Sequence, residues 1–439
     1  MQRVVIVGCG SVGLAVAAAF ATTGMTVLGY DTDGDRLARL SAGREAIGEP
    51  DLAAVIAAAL ADGTLRFSDE ILALPAGSSA YLLAVPTPWH DDGGFDDAAL
   101  SKAVATVLSV ARPGDLLCIR STVPVGTSAR IAQQARAQAV DIFIAACPDR
   151  SAEGQSYREQ FEVPHLIGAD DDESRRQASE LFGRLGPVTI CSSAAEAEAA
   201  KLLCNVARDA TFGLANELAR FCAGLGLDGH AVAAAAGRGY ERFSLPRPGP
   251  VGGPCLAKDV GLLLSSPGAP DSPLLRAARQ ANARIAGDVA AAIADHLAAI
   301  GATTVAVLGV AFKGRPPVAD LRGSVALEIA QRLMRDARLE LRAWDPEIDA
   351  GALEQAGLAP AVSPLAAAGG AGAILLANDH PALAALDLGA LAAAAHPHAL
   401  FYDLCGQRGD GMAGVLPGQS VRLLSGKERL AKPSRAAAE

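Results

Sequence analysis

Arg3-Val4-Val5-Ile6-Val7-Gly8-Cys9-Gly10-Ser11-Val12-Gly13 is the stretch that decides how the rest of the chain is read. Residues 3 to 7 are a short β-branched run, and the glycine turn after them leads straight into a helical stretch from Leu14 to Thr23. Strand, glycine turn and helix in that order predict a dinucleotide cradle. Gly8, Gly10 and Gly13 permit a tight turn, close approach of backbone to a pyrophosphate, and close packing of helix on strand, while Ser11 and Val12 open the helix whose N-terminus faces the anion. A second strand, Met25 to Tyr30, ends at Asp31, where an acid can accept the adenosine ribose hydroxyls. An acid there, rather than a nearby Arg, favours NAD over NADP.

Three later strand ends extend the parallel sheet outward from this unit. Tyr81 to Val85 runs into Pro86-Thr87-Pro88, Leu116 to Ile119 into Ser121 to Thr127, and Asp141 to Ala145 into Cys147-Pro148-Asp149-Arg150. Ligands of such sheets lie beyond the carboxyl ends of the strands, which makes Thr87, Thr122 and Asp149 cleft candidates; loop-starting turns are the plain alternative. A proline-free helical pattern then spans about 194 to 225. Lys201 and Asn205 share one of its faces, with Glu198 and Asp209 near that stripe, and a solvated polar face is the bland alternative. A Gly-, Pro- and Arg-rich loop containing Tyr240, Arg242, Arg247 and Gly249 leads into Gly252-Gly253-Pro254-Cys255-Leu256-Ala257-Lys258-Asp259, where a thiol follows a tight bend with a carboxylate four residues on. Another helix covers roughly 272 to 300.

Past Gly301 the pattern starts again. Thr303 to Leu308 is a strand ending in Gly309-Val310-Ala311-Phe312-Lys313-Gly314, a helix follows from Ser324 to Asp336, and a strand from Leu339 to Trp344 ends at Asp345-Pro346. This predicts a second open α/β domain without the full glycine fingerprint. The expected fold is therefore α/β, with two Rossmann-like open parallel-sheet domains (1–193 and 301–425) joined by a central all-helical domain (194–300) with a long core helix, and a flexible tail at 426–439.

Composition narrows the functional classes. At 439 residues the chain exceeds a single core, and 51% hydrophobic with 4% aromatic residues favours helices packed through small side chains. A net charge of −10 and no dense Lys/Arg block argue against nucleic acid. Eight cysteines without a Cys-x-x-Cys pair argue against a disulfide scaffold and a structural zinc, and predict a reducing, cytoplasmic setting. Residues 1 to 23 imitate a secretory signal in hydropathy, yet their glycine spacing fits a folded domain, and no apolar run reaches the length of a membrane span.

Several segments together resemble one family, the UDP-glucose/GDP-mannose dehydrogenases. The matching pieces are Gly8 to Gly13, Val85-Pro86-Thr87-Pro88, Ser121 to Thr127, Cys147-Pro148-Asp149-Arg150 with Glu153-Gly154, Lys201 with Asn205, Gly252 to Asp259, Ala311-Phe312-Lys313 with Asp320-Leu321-Arg322-Gly323-Ser324, and Asp345-Pro346, in the family's order from residue 3 to about 405. The resemblance implies an NAD domain, a central helical domain forming a homodimer or higher homo-oligomer, and a C-terminal domain gripping a nucleotide sugar. It adds Arg36, Val85, Pro86, Ser121, Thr122, Glu153 and Lys258 to the cofactor contacts. It implies substrate contacts at Asp149, Arg150, Lys201, Asn205, Arg242, Gly252, Cys255, Phe312, Lys313 and Arg322.

The chemistry implied is oxidation of a sugar C6 alcohol to a carboxylate, two hydrides lost in succession through a Cys255 thiohemiacetal and thioester. Lys201 and Asn205 stabilise charge on the substrate oxygen, Asp259 serves as base, Asp149 aids thioester hydrolysis and Thr122 orders water. Two departures stand out: Asp149 replaces the usual glutamate, and Pro248-Gly249-Pro250-Val251-Gly252-Gly253 is one residue shorter than a common form. UDP-glucose is the favoured substrate because Lys258-Asp259 resembles the glucose and mannose branches; a UDP-N-acetylhexosamine or GDP-mannose is the alternative. A two-electron dehydrogenase without a thiol, and a nucleotide-sugar-binding protein impaired in turnover, remain as readings of other kinds.

Overall fold

A computed structural model describes residues 3–44, 48–71, 79–90, 94–408, 419–424 and 429–430. The chain divides into two compact units, Met1–Val206 with Lys258–Asp271, and Ala207–Ala257 with Ser272–Glu439.

The first unit is built on strands β1 (Arg3–Val7), β2 (Thr26–Tyr30), β3 (Leu65–Ser68), β4 (Ser79–Leu83), β7 (Leu116–Ile119), β8 (Phe143–Ala146), β9 (His165–Gly168) and β10 (Val188–Cys191), with β5 (Trp89–His90) and β6 (Gly94–Phe95) forming a separate small hairpin. The large sheet runs β10-β9-β8-β7-β4-β1-β2-β3 and is parallel except where β9 meets β8 at Ala146 and Gly168. Register places the loops. Val7 pairs with Leu83, Leu83 with Ile119, and Ile119 with Ala146, so four strands stop in one row and the chain leaves each at Gly8, Ala84, Arg120 and Cys147. That row is the crevice at the carboxyl ends of the strands, where ligands of open α/β sheets bind.

The first helix, Ser11–Thr22, buries every residue from Gly13 to Ala21. Its alanines let it lie close on the sheet. A Cβ on Gly13 would sit 1.9 Å from the Gly8 carbonyl oxygen, so only glycine permits that approach.

In the second unit, β11 (Thr304–Leu308), β12 (Glu340–Trp344), β13 (Ala359–Pro360), β14 (Ala373–Leu376), β15 (Leu400–Asp403), β16 (Ser420–Leu423) and β17 (Arg429–Leu430) form a sheet of order β13-β12-β11-β14-β15-β16-β17. All its pairs are parallel except β16 with β17. Two open sheets of 3-2-1-4-5-6 type, the expected architecture, are thus present. Within the segment from 426, Arg429–Leu430 pairs antiparallel along β16, whose outer edge would otherwise offer unpaired backbone groups. The remainder of that tail lies outside the described residues.

The long helix Ala194–Gly224 belongs in part to each unit. Within the second unit it crosses the helix Pro273–Ile300 at Gly213, where a Cβ would lie 2.6 Å from the Ala278 carbonyl oxygen. Pro273 opens the second of these helices and Gly301, in the left-handed region, closes it.

Candidate active site

The glycine turn meets the requirements of a dinucleotide. Gly10 caps the first helix with no side-chain hydrogen bond, leaving backbone donors at its N-terminus, and a Cβ on Gly10 would touch nothing within 4 Å. That open, donor-lined surface fits a pyrophosphate. Asp31, at the end of β2, accepts from Cys9 N–H at 2.7 Å and from Asp33 N–H at 3.1 Å, so the turn itself holds the acid expected to bind ribose. Cys9 is buried beneath this turn, its thiol pushed up to about 12 by desolvation, and serves packing rather than chemistry. Arg36 is half-buried in the first turn of the helix Gly34–Ser41, its backbone N–H bonded to Asp33 Oδ1.

The neighbouring strand ends are tied together. Ser121 Oγ donates to the Val85 carbonyl at 2.7 Å, and Thr87 Oγ1 donates to the Thr122 carbonyl at 2.7 Å. Pro86 lies between these bonded positions. Glu153 precedes Gly154, and the backbone N–H groups of Gly154, Ser156 and Tyr157 all donate to the Glu49 carboxylate.

The polar stripe of the long helix is buried. Lys201 and Asn205 are no more than 9% exposed, and Asn205 Nδ2 donates to Asp259 Oδ2 at 2.6 Å. Asp259, 1% exposed, keeps its other oxygen without a hydrogen bond; Lys258 Nζ lies 3.1 Å from it and 3.4 Å from Thr87 Oγ1. A buried carboxylate oxygen with a cation beside it and no donor of its own is poised to accept one from a bound hydroxyl or water.

Asp149 is held differently. Arg120 Nη2 donates to its Oδ1 at 2.5 Å and Ser151 Oγ to its Oδ2 at 2.6 Å. Burial pushes its carboxyl up, but Arg120, Ser151 and Lys201 outweigh burial and hold it below the usual range. Such a carboxylate is a weak base at neutral pH. Arg120, at the end of β7, also reaches the Cys147 carbonyl and Gln160, and with Asp149, Arg150 and His165 lines a small pocket. Arg150 itself donates to the Pro164 carbonyl.

The remaining candidates lie in the second unit. Cys255 is exposed and immediately precedes the helix Leu256–Leu264. The Gly252-Gly253 bend before it docks on the C-terminal sheet domain: Gly253 N–H donates to the Gly323 carbonyl at 3.0 Å, and a Cβ on Gly253 would come within 2.7 Å of the Phe312 ring. Lys313 Nζ lies 5.4 Å from the centre of that ring, and Arg322 is paired with Asp320 at the surface. Arg242 is exposed, stacked over Tyr240.

Several residues that the sequence reading missed hold these parts in place. Asn216 binds both backbone groups of Gly249, accepting from its N–H at 2.9 Å and donating to its carbonyl at 3.0 Å. Asn282, through Asp209 of the stripe already noted, extends that network to Arg279. The one available signal was spacing: Asn216 continues the stripe of Lys201, Asn205 and Asp209. Arg120 was signalled only as a lone charge after an apolar strand. Among the described residues no cluster of His, Cys, Asp and Glu could hold a metal, and no helix is long and apolar enough to cross a membrane.

A glycine cradle on one open sheet, a second open sheet, and a buried Lys/Asn/Asp set define a dinucleotide-dependent dehydrogenase. Comparison with known proteins places it further. Models of the UDP-glucose/GDP-mannose dehydrogenase family match the NAD binding domain at residues 2–186, the central domain at 195–284 and the UDP binding domain at 306–407. The chain belongs to this family, and it carries an NAD-binding domain and a nucleotide-sugar-binding domain. It is 32% identical over 365 residues to a UDP-N-acetyl-D-mannosamine dehydrogenase of Escherichia coli (strain K12), covering 78% of this chain and 85% of that one. It is 31% identical over 364 residues to an NDP-N-acetyl-D-galactosaminuronic acid dehydrogenase of Ralstonia nicotianae, covering 79% and 84%. A solved UDP-D-ManNAc dehydrogenase from Pyrococcus horikoshii superposes with a TM-score of 0.85 at 28% identity, covering 96% of this chain and 99% of that one.

Proposed function

We propose that the chain oxidises the C6 hydroxymethyl of a UDP-linked N-acetylhexosamine, first of all N-acetylmannosamine, to the uronic acid in a four-electron reaction. The observation that carries the reaction is the buried Asn205–Asp259 contact, which sets an amide donor and an unsatisfied carboxylate oxygen beside Lys258. The sugar is argued from the relatives, whose substrates as named are N-acetylated. UDP-glucose is the second reading, supported by Lys258-Asp259, which resembles the glucose and mannose branches of the family.

When bound, NAD supplies the hydride acceptor for both oxidations. Asp259 takes the hydroxyl proton of the substrate, directly or through water, while Lys201 and Asn205 hold the developing oxyanion. Cys255 Sγ adds to the aldehyde carbon, forming a C–S bond as the carbonyl oxygen gains a proton. Oxidation of that thiohemiacetal leaves a thioester, and water breaks the C–S bond to give the acid and restore the thiol. Asp149, pinned by Arg120, orients the attacking water with Thr122 and leaves proton removal to another group.

The test is NADH release with UDP-N-acetylmannosamine, UDP-N-acetylglucosamine, UDP-glucose and GDP-mannose. Two NADH per acid are expected from the first. In Cys255→Ser, acid formation is expected to fall by about a thousandfold or more while aldehyde accumulates. One NADH per sugar would establish a two-electron dehydrogenase, and binding of NAD and UDP-sugar with no NADH would establish a binding protein.

A further inference from the structure

We propose that Glu198 is a positioning residue that clamps the loop Ser121–Gly126 to the helix carrying Lys201 and Asn205, an inference that rests on the catalytic reading of those two residues. Glu198 is 2% exposed. Its Oε2 accepts from Gly126 N–H at 2.7 Å, and its Oε1 accepts from Ser128 N–H at 2.7 Å and Ser128 Oγ–H at 2.6 Å. These donors open the helix Thr127–Ala137, whose N-cap, Gly126, has no side chain to satisfy them. A carboxylate from another helix therefore takes the capping role, at the end where the helix dipole favours negative charge.

The position of Glu198 makes this more than a cap. It stands three residues before Lys201 and seven before Asn205, so all three share one face of the long helix. The same loop is tied elsewhere: Val125 N–H donates to Ser266 Oγ at 3.0 Å, and Ser266 follows the helix that carries Lys258 and Asp259. The Asn205–Asp259 bond then joins those two helices to each other. Loop, long helix and short helix thus form a closed triangle whose three sides are Glu198, Ser266 and Asn205–Asp259. A triangle fixed at three sides holds donors and base in one geometry, which catalysis by oriented groups requires. Burial raises the Glu198 carboxyl, and the Ser128 and Gly126 bonds draw it back.

The experiment uses the full chain with Glu198→Ala, Glu198→Gln and Ser128→Ala. Hydrogen exchange needs no substrate: Glu198→Ala is expected to speed exchange in 121–128, 200–206 and 258–266 together. Faster exchange confined to 126–129 would mean a local cap and overturn the proposal. With the UDP-sugar that the wild type oxidises, Glu198→Ala is expected to lower kcat by about tenfold or more and to move KM for NAD by less than about threefold. Glu198→Gln, which keeps an acceptor oxygen, recovers part of that loss. A folded Glu198→Ala enzyme with kcat within about twofold of wild type overturns the proposal. If Glu198→Ala does not fold, Ser128→Ala, lacking one of the three donors, carries both measurements with smaller changes in the same segments. A wild type that oxidises no sugar refutes the reaction and leaves the exchange pattern to judge the clamp.

Discussion

His165 shows how one buried ring records the charges around it. Its Nε2 faces the Gln160 carbonyl at 2.8 Å, which can only accept, so that nitrogen carries the proton; Nδ1 faces Arg120 Nη1 at 3.5 Å. Burial first, and the Arg120 guanidinium second, lower its pKa to about 4 from an ordinary 6.5. Between those values the unfolded chain binds a proton that the folded chain refuses, so stability rises with pH across that window and falls as pH drops through it. The full contribution is about 3 kcal/mol at 1.36 kcal/mol per pH unit. His165→Gln is expected to flatten the dependence of urea unfolding between pH 4.5 and 7 by most of that amount, while a slope parallel to wild type would show that other groups set it. Asp149 has the same sign but a more acidic window. Its lowered pKa stabilises the fold above the ordinary carboxylate range and is lost in stronger acid, so the two groups act in separate windows.

At the scale of elements, the long helix has its faces reversed for a chain standing alone. Glu198, Lys201, Asn205, Asp209 and Asn216 are buried, while Leu214, Leu218 and Phe221 on the helix, with Leu225 just past its end, are exposed, Phe221 at 66% and Leu225 at 63%. A solvated polar face was the ordinary expectation for Lys201 and Asn205, and burial against loops distant in sequence could not be seen from spacing. Spacing did reveal that they share a face. An apolar stripe of this length on an ordered helix fits a second copy of the chain, the homodimer expected from the family resemblance. We propose that a second copy covers the stripe, so the wild type is expected to sediment as a dimer and Leu218→Asp with Phe221→Asp as a monomer, since each places a charge where the partner's apolar stripe would lie; a monomeric wild type would refute the dimer. An oligomer of unchanged mass in the double variant would put the interface elsewhere.

Across the whole molecule, both sheets repeat one construction, and the repeat shows what was legible. Gly8 N–H bonds the Tyr30 carbonyl as Gly309 N–H bonds the Trp344 carbonyl, and Ala84 N–H bonds Val7 as Ala377 N–H bonds Leu308. Each second strand is followed by an aspartate that accepts from the glycine loop after the first strand. The sequence showed both strand–glycine–strand–acid series because they are local; it could not show how many hydrogen bonds each acid already holds. Asp31 accepts two, from Cys9 and Asp33, and stays partly exposed. Asp345 accepts four, from Val310, Ala311, Glu347 and Ile348, and is buried. A carboxylate offers about four lone-pair sites, so Asp345 has none left for a ribose while Asp31 has two. The helix that would present its N-terminus also differs, starting at Ser11 directly after the first glycine turn but only at Val325 in the second. One NAD per chain is therefore expected by calorimetry. Asp31→Ala should weaken binding by about ten- to a hundredfold, the value of a charged hydrogen bond. Asp345→Ala should lower the unfolding temperature and leave NAD affinity within about twofold, because it breaks only bonds internal to the fold. Two NAD per chain, or equal loss of affinity in both variants, would show that the second glycine turn binds a dinucleotide as well.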